Sequence, residues 1–392
     1  MLNRDINKKY VVLLPEASGR QVLPMAKAFY ELGCDVITVQ EHKADLGNKT
    51  KYAAKKYVIE GVDTDECVAT EFYTALLKKE HIDLVIPLSD FSAGIFARMK
   101  SEVEANSSTV IATNEYKVFM DAFDKLNTMK ICMANGIPCP YTLDAVSSIE
   151  DVPETLKYPV LLKPRSSCGS IGLHIAQDRE SLKKYIEQVH SENLGEVLVQ
   201  EFIPQSGRQY NAHFVLDKNH TVKSAVLAEK CRWFPIDGGA STLCRTIHNS
   251  QILDECEKLL KVIGWVGYCD LDLMEDPRDG SIRVIEINAR ISANVKLCMA
   301  AGVNIAEQLL QLYRGETVSD KLVYGDDVRL RCMHTDLLWF IKSPKRFKSD
   351  PSWFSLRRTT DQIWMWSDPA PFFSFSIQAL GRYRKEMKKR ER

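Results

Sequence analysis

Short apolar runs recur through the first third of the chain: Tyr10-Val-Val-Leu-Leu14, Asp35-Val-Ile-Thr-Val39, Asp83-Leu-Val-Ile-Pro87 and Thr109-Val-Ile-Ala-Thr113. Runs without polar alternation suit strands covered on both faces, so they predict a parallel sheet. Between the first two runs, Val22, Ala26 and Phe29 fall on one helical face, with Pro24 near a helix start where proline is tolerated. Strand and helix alternate over residues 1–115, which predicts an open α/β domain of Rossmann-like type. The turn after the first strand, Pro15-Glu-Ala-Ser-Gly-Arg20, lacks G-x-G-x-x-G. No dinucleotide site is therefore predicted, and the domain reads as structural or as helping to hold substrate.

The pattern changes further on. Residues 116–157 read as a helical connector ending in Gly136-Ile-Pro-Cys-Pro140. From residue 158 to about 315 the chain is rich in hairpin strands, among them Glu196-Val-Leu-Val-Gln-Glu201, Tyr210-Asn-Ala-His-Phe-Val-Leu216 and Thr221-Val-Lys-Ser-Ala-Val-Leu227. The turn Asp276-Pro-Arg-Asp-Gly280 separates two strands expected to pair antiparallel. An amphipathic stretch from Asn304 to Tyr313 should form a helix that stops at Gly315. The reading divides the chain into residues 1–115, an α+β unit over 116–320, and a C-terminal extension over 321–392.

Composition narrows the class. The 392 residues carry 45% apolar side chains, enough for more than one core, and Lys+Arg and Asp+Glu balance at 52 each. Net charge thus gives no argument for nucleic acid. Eleven cysteines show no metal-binding spacing, and the eight histidines no paired spacing. With no secretory leader in Met1-Leu-Asn-Arg-Asp-Ile and no apolar run of membrane-spanning length, the expectation is a soluble, reduced, cytoplasmic protein.

Two segments carry candidate chemistry. In Tyr158-Pro-Val-Leu-Leu-Lys-Pro-Arg-Ser-Ser-Cys-Gly-Ser-Ile-Gly172, Lys163 leaves an apolar strand and enters a loop of small residues able to offer N–H groups to phosphate. In Asp270-Leu-Asp-Leu-Met274 and Arg283-Val-Ile-Glu-Ile-Asn-Ala-Arg290, side chains alternate across the strands. Asp270, Asp272 and Met274 share one face, and Glu286, Asn288 and Arg290 share another. Oxygens of Asp272, Glu286 and Asn288 could converge on a hard cation such as Mg²⁺. Each segment alone is also compatible with an ordinary half-exposed strand pair or a solvated hairpin loop.

Taken in order, the segments resemble the ATP-grasp family. Asp124-Lys125 before Met129-Lys-Ile-Cys-Met-Ala-Asn-Gly-Ile-Pro138 resembles its first nucleotide lysine and helix, and residues 158–172 resemble its second lysine and mobile loop. Val199-Gln-Glu-Phe-Ile-Pro204 resembles the hinge that binds adenine. Residues 284–292 are similar to the same stretch of carbamoyl-phosphate synthetase and biotin carboxylase. The resemblance implies an ATP-grasp fold of two α+β lobes, the mobile one about residues 158–203, behind the Rossmann-like domain. It implies that Lys125, Lys163 and Ser170 contact ATP phosphates, that Glu201, Phe202 and Ile203 meet the adenine, and that Met274 packs beneath it. By the same resemblance, Gln209 would stand in for the usual ribose-binding acid. Asp272, Glu286 and Asn288 would hold Mg²⁺ or Mn²⁺, Arg290 would stabilise the transferred phosphoryl group, and Lys230 would face substrate.

The implied activity is an ATP-dependent carboxylate–amine (or carboxylate–thiol) ligase, forming an amide or peptide bond through an acyl phosphate. A bicarbonate-using carboxylase or carbamoyl-phosphate-type enzyme is the alternative. A third reading comes from the end of the chain, where Trp353, Trp364, Trp366, Phe372, Phe373 and Phe375 precede residues 382–392, which hold seven basic and two acidic side chains. Such a tail can give peripheral membrane contact, as in a nucleotide-binding protein of membrane or glycan machinery, or its aromatics can pack on the catalytic unit. The tail resembles that of ATP-grasp proteins in bacterial surface-polysaccharide clusters, which implies an amino acid or sugar acid as substrate; the family also implies a homodimer.

Overall fold

A computed structural model describes residues 9–379 apart from 145, 165–173, 192–196 and 237–238. The first unit is a parallel sheet built from β1 (Val11–Leu14), β2 (Asp35–Gln40), β3 (Lys55–Val58), β4 (Leu84–Val85) and β5 (Val110–Ile111). Its order is β3-β2-β1-β4-β5, so the direction of winding reverses between β1 and β4. Val12, Leu13 and Leu14 are wholly buried because helices cover both faces. β3 was not among the runs read as strands, since Lys55-Lys-Tyr-Val58 is half polar and sits at an edge.

Two further sheets follow. β6 (Val160–Pro164), β7 (His174–Ala176) and β8 (Val197–Glu201) form a small antiparallel lobe covered by the Arg179–Ser191 helix. Leu182, Ile186 and Val189 of that helix pack with Val160, Leu162 and Val199. The central sheet comprises β9 (Gln209–Leu216), β10 (Val222–Phe234), β11 (Ala240–Ile247), β12 (Gly267–Glu275), β13 (Ile282–Asn288), β14 (Arg329–Arg331) and β15 (Thr359–Asp361), ordered β13-β12-β9-β10-β11-β14-β15.

Register across this sheet decides which side chains meet, because directly paired residues project to the same face. Leu271 pairs with Ala212, and Ala212 with Leu227; these face the Ser250–Ile263 helix and a core containing Cys256, Leu259 and Leu260. The opposite face is apolar at one end, where Val215, Val226 and Tyr268 pack toward the first unit. At its other end it is polar, and the candidate site lies there.

The described part of the C-terminal segment, residues 321–379, is built into the fold. β14 and β15 extend the central sheet, and Ile363 and Met365 join the core shared with the first unit. Asp368 accepts from Thr50 Oγ1 at 2.6 Å, and the Lys296 ammonium donates to the carbonyls of Asp361 and Trp364 at 2.6 and 2.9 Å. Of the tail aromatics, Phe372 and Phe375 pack against this core and Trp364 meets Phe372 edge-on at 5.1 Å, whereas Trp366 is 90% and Phe373 59% exposed. Asn114 and Val266 tie the first unit to the rest by a reciprocal pair of hydrogen bonds at 2.9 and 3.0 Å.

Candidate active site

Three rows of side chains cross the polar face. Met274, Gln209, Lys230 and Cys244 make the first; Glu286, Asp272 and Asn211 the second; Asn288, Asp270 and His213 the third. A register shift between Asp272 and Leu273 leaves Ile285 as an extra residue, so that Val284 faces the core while Glu286 still lies opposite Asp272.

Each of the three predicted cation donors is bound by a basic side chain. Lys125, which opens the Lys125–Ala134 helix behind an Asp124 cap, lies 3.4 Å from Glu286. Lys230 reaches Asp272 Oδ2 at 3.0 Å, and Arg290 Nη2 donates to Asn288 Oδ1 at 2.9 Å. Burial disfavours the Lys230 charge, yet Asp272 and then Asp270 outweigh it and hold its pKa above the ordinary value. His213 is fully enclosed, and burial pushes its pKa below the ordinary value despite Asp270. Its ring is therefore neutral at pH 7, with Nδ1 2.8 Å from the Tyr268 hydroxyl.

Glu201 ends β8, but its carboxylate is engaged by the Tyr141 amide at 3.1 Å, by Arg278, and by Arg283 at 3.6 Å. What this segment can offer a purine is its backbone through Phe202 and the buried Ile203. Lys163 lies on β6 opposite Leu198, with its side chain outside the described residues, and Ser170 lies outside them altogether.

Several neighbours escaped sequence reasoning. Asn211 donates to Asp270 Oδ1 at 3.2 Å and to Asp272 Oδ1. Its place two residues after Gln209 on one strand was a signal, but the register with β12 was not. Asn294 Nδ2 donates to Asn211 Oδ1 at 3.4 Å, and Gln362 Nε2 donates to Asn294 Oδ1 at 3.0 Å and to the Ala293 carbonyl at 2.8 Å. Arg20 donates to Gln362 Oε1. This head-to-tail line of amides runs from the first unit through the C-terminal segment to Asp272, each bond polarising the next.

Arg290 also meets Asp90 at 3.3 Å, in the first turn of the Asp90–Asn106 helix. The Ser92 amide of that turn donates to Glu16 at 3.1 Å. Glu16 has φ 51°, a left-handed backbone that costs a non-glycine residue energy, and it sits after β1 where the winding reverses. Burial, then Asp63, push its carboxyl from the ordinary 4.5 up to about 8. The fold therefore keeps a proton that the unfolded chain loses above about 4.5, so its contribution to stability declines as pH rises from there toward 8. Glu16→Gln should flatten that decline in urea midpoints measured across the interval. An unchanged slope would mean that Glu16 is ionised in the fold.

Residues 122–294 match the family described as ATP-grasp domain. This stretch lies behind the Rossmann-like parallel sheet. It is 24% identical over 334 residues to the D-aspartate ligase of Enterococcus faecium, covering 78% of this chain and 77% of that one. It is 25% identical over 332 residues to the carbamoyl phosphate synthase large chain of Gemmatimonas aurantiaca, covering 77% of this chain and only 28% of that much longer protein. Among solved structures, biotin carboxylase of Campylobacter jejuni superposes with a TM-score of 0.67 at 17% identity, covering 81% of this chain and 74% of that one.

Proposed function

We propose that the chain is an ATP-dependent ligase that joins a carboxylate to an amine through an acyl phosphate, releasing ADP and phosphate. The observation that carries the reading is the convergence of Asp272, Glu286 and Asn288 on one face, each bound by one of Lys230, Lys125 and Arg290. The ATP-grasp match and the D-aspartate ligase relative support the same reaction class. Among the described residues no group of three His, Cys, Asp or Glu side chains could hold a metal by itself. Two carboxylates and an amide oxygen instead fit Mg²⁺ or Mn²⁺, hard ions that complete their shell with water and nucleotide phosphate. When bound, such an ion supplies positive charge against the phosphates and fixes their orientation.

The chain's own groups do the rest. Lys125, and Lys163 by the family resemblance, neutralise phosphate charge, and Ser170 belongs to the loop that covers it. The backbone of Glu201, Phe202 and Ile203 receives the adenine edge, with Met274 beneath the base and Gln209 toward the ribose. Arg290, fixed by Asp90 and Asn288, directs its guanidinium at the oxygens that gain charge as the substrate carboxylate attacks the γ-phosphate. Lys230 neutralises the substrate side of the acyl phosphate. The β–γ bond breaks and ADP leaves with its electron pair; the amine then attacks the acyl carbon, the acyl–oxygen bond breaks, and inorganic phosphate leaves with that electron pair and takes up the proton the amine loses. Holding the reactants in line is the main contribution to rate.

ADP release should require both a carboxylate and an amine when D- and L-amino acids and sugar acids are screened in pairs. Release that depends on bicarbonate alone would move the reading to carboxylation, and release with no second substrate would overturn it.

A further inference from the structure

The helix Met333–Lys342 buries Asp336 and Trp339 on one side and turns Leu337 and Ile341 outward on the other, with Phe340 half-buried at their edge. The segment that follows adds two rings to this face. Phe347 meets Phe340 edge-on at 5.5 Å and stacks over Phe354 at 6.4 Å, and Phe354 meets Phe340 at 5.7 Å. Packing of this kind normally hides aromatics, yet Phe347 is 71%, Phe354 62% and Ile341 57% exposed. A contiguous exposed apolar face of this sort marks a contact surface.

Charge identifies the contact. Lys342, Lys345, Arg346 and Lys348 flank Phe347 in sequence, with no acidic residue among them from 342 to 348. Among the described residues none of the four makes an ion pair, and the nearest acid in sequence, Asp350, is taken by Arg245 at 3.1 Å. Arg346 lies 5.5 Å over the Phe347 ring and donates to the Ile341 carbonyl at 3.3 Å, so cation and apolar groups occupy one surface. A second copy seated face to face would set these four cations against their own counterparts, which disfavours self-association. Rings so fully exposed stand out from the surface instead of lining a groove, a shape suited to a fluid layer. Aromatic and aliphatic groups that enter the headgroup boundary, flanked by cations that meet phosphate, are the chemistry of bilayer attachment.

We propose that this face docks the protein on membranes containing anionic lipids. No helix among the described residues is long and apolar enough to cross a membrane, so the attachment is peripheral. The surface is built from residues 337–354, apart in sequence from the basic end at 382–392, and stands independently of the ligase reading.

Vesicle co-sedimentation tests the proposal with the full chain. Binding is expected to vesicles of phosphatidylcholine and phosphatidylserine, not to phosphatidylcholine alone, and to weaken in high salt. Phe347→Ser with Phe354→Ser, and separately Lys345→Glu with Arg346→Glu, should each weaken it about tenfold or more. Thermal unfolding checks that both variants fold, and a chain ending at residue 379 should still bind. No association of the intact chain, association unmoved by either pair, or loss confined to the shortened chain would overturn the proposal. So would a dimer in sedimentation velocity that the Phe347 and Phe354 substitutions convert to monomer.

Discussion

Glu286→Gln is expected to lower ATP turnover by about a hundredfold to a thousandfold, the scale seen when one preorganised electrostatic contact to a transition state is lost. The reason is charge. Glu286 lies opposite Asp272 in the β12–β13 pair and is balanced by Lys125 at 3.4 Å. Glutamine keeps the size and the strand, but it removes one of two carboxylates that fit a divalent ion. It also leaves Lys125 with one negative neighbour fewer. The side chain is partly exposed at the polar end of the sheet, away from the apolar core, so unfolding temperature should hardly change. Steady-state ADP release with the productive substrate pair measures the effect. Turnover within threefold of the unsubstituted chain would remove Glu286 from the site.

The largest stability effect is expected from Asp336. Its carboxylate is wholly buried and receives Arg232 through Nε at 2.8 Å and Nη2 at 3.0 Å, Arg331 Nε at 2.6 Å, and the Thr242 hydroxyl at 2.8 Å. Both arginines are themselves buried, Arg232 facing the Trp339 ring at 5.0 Å and Arg331 the Trp353 ring at 4.2 Å. One carboxylate thus serves two guanidinium groups, and burial already lowers the pKa of Arg331. Asp336→Asn leaves two enclosed cations without a counter-charge and should cost about 3–5 kcal/mol. Because these four residues join β10, β11, β14 and the Met333–Lys342 helix, the loss should appear as earlier detachment of the C-terminal segment. Guanidinium denaturation followed by tryptophan fluorescence reads it, since Trp339, Trp353, Trp364 and Trp366 report on that part. A loss below about 1 kcal/mol would show that the arginines find other partners.

Much of this architecture was legible beforehand because local pattern carried it. Apolar runs in the first unit announced buried parallel strands, and the alternation around Asp272 and Glu286 announced which side chains share a face. The fold class follows from those patterns, and the ATP-grasp and Rossmann-like expectations stand. Register is where a single sequence fell silent. Asn211 comes beside Asp272 only because β9 lies between β12 and β10, a neighbourhood set by tertiary contacts. Glu16, Asp90 and Gln362 join the site from distant parts of the chain. β14 and β15, three residues each, are too short to show any period and are held by their neighbours. The Glu201 carboxylate was expected at the nucleotide, and its arginine partners Arg278 and Arg283 arrive from a hairpin turn far along the chain.

The decisive measurement is the structure of the chain crystallised with Mg²⁺ and ADP. Oxygens of Asp272, Glu286 and Asn288 are predicted to surround the ion, with at least one bound directly at about 2.0–2.1 Å, Lys230 and Lys125 released from their carboxylates, and the diphosphate on the far side of the metal. A nucleotide bound elsewhere, or one held with all three donors still on their basic partners, would contradict the account.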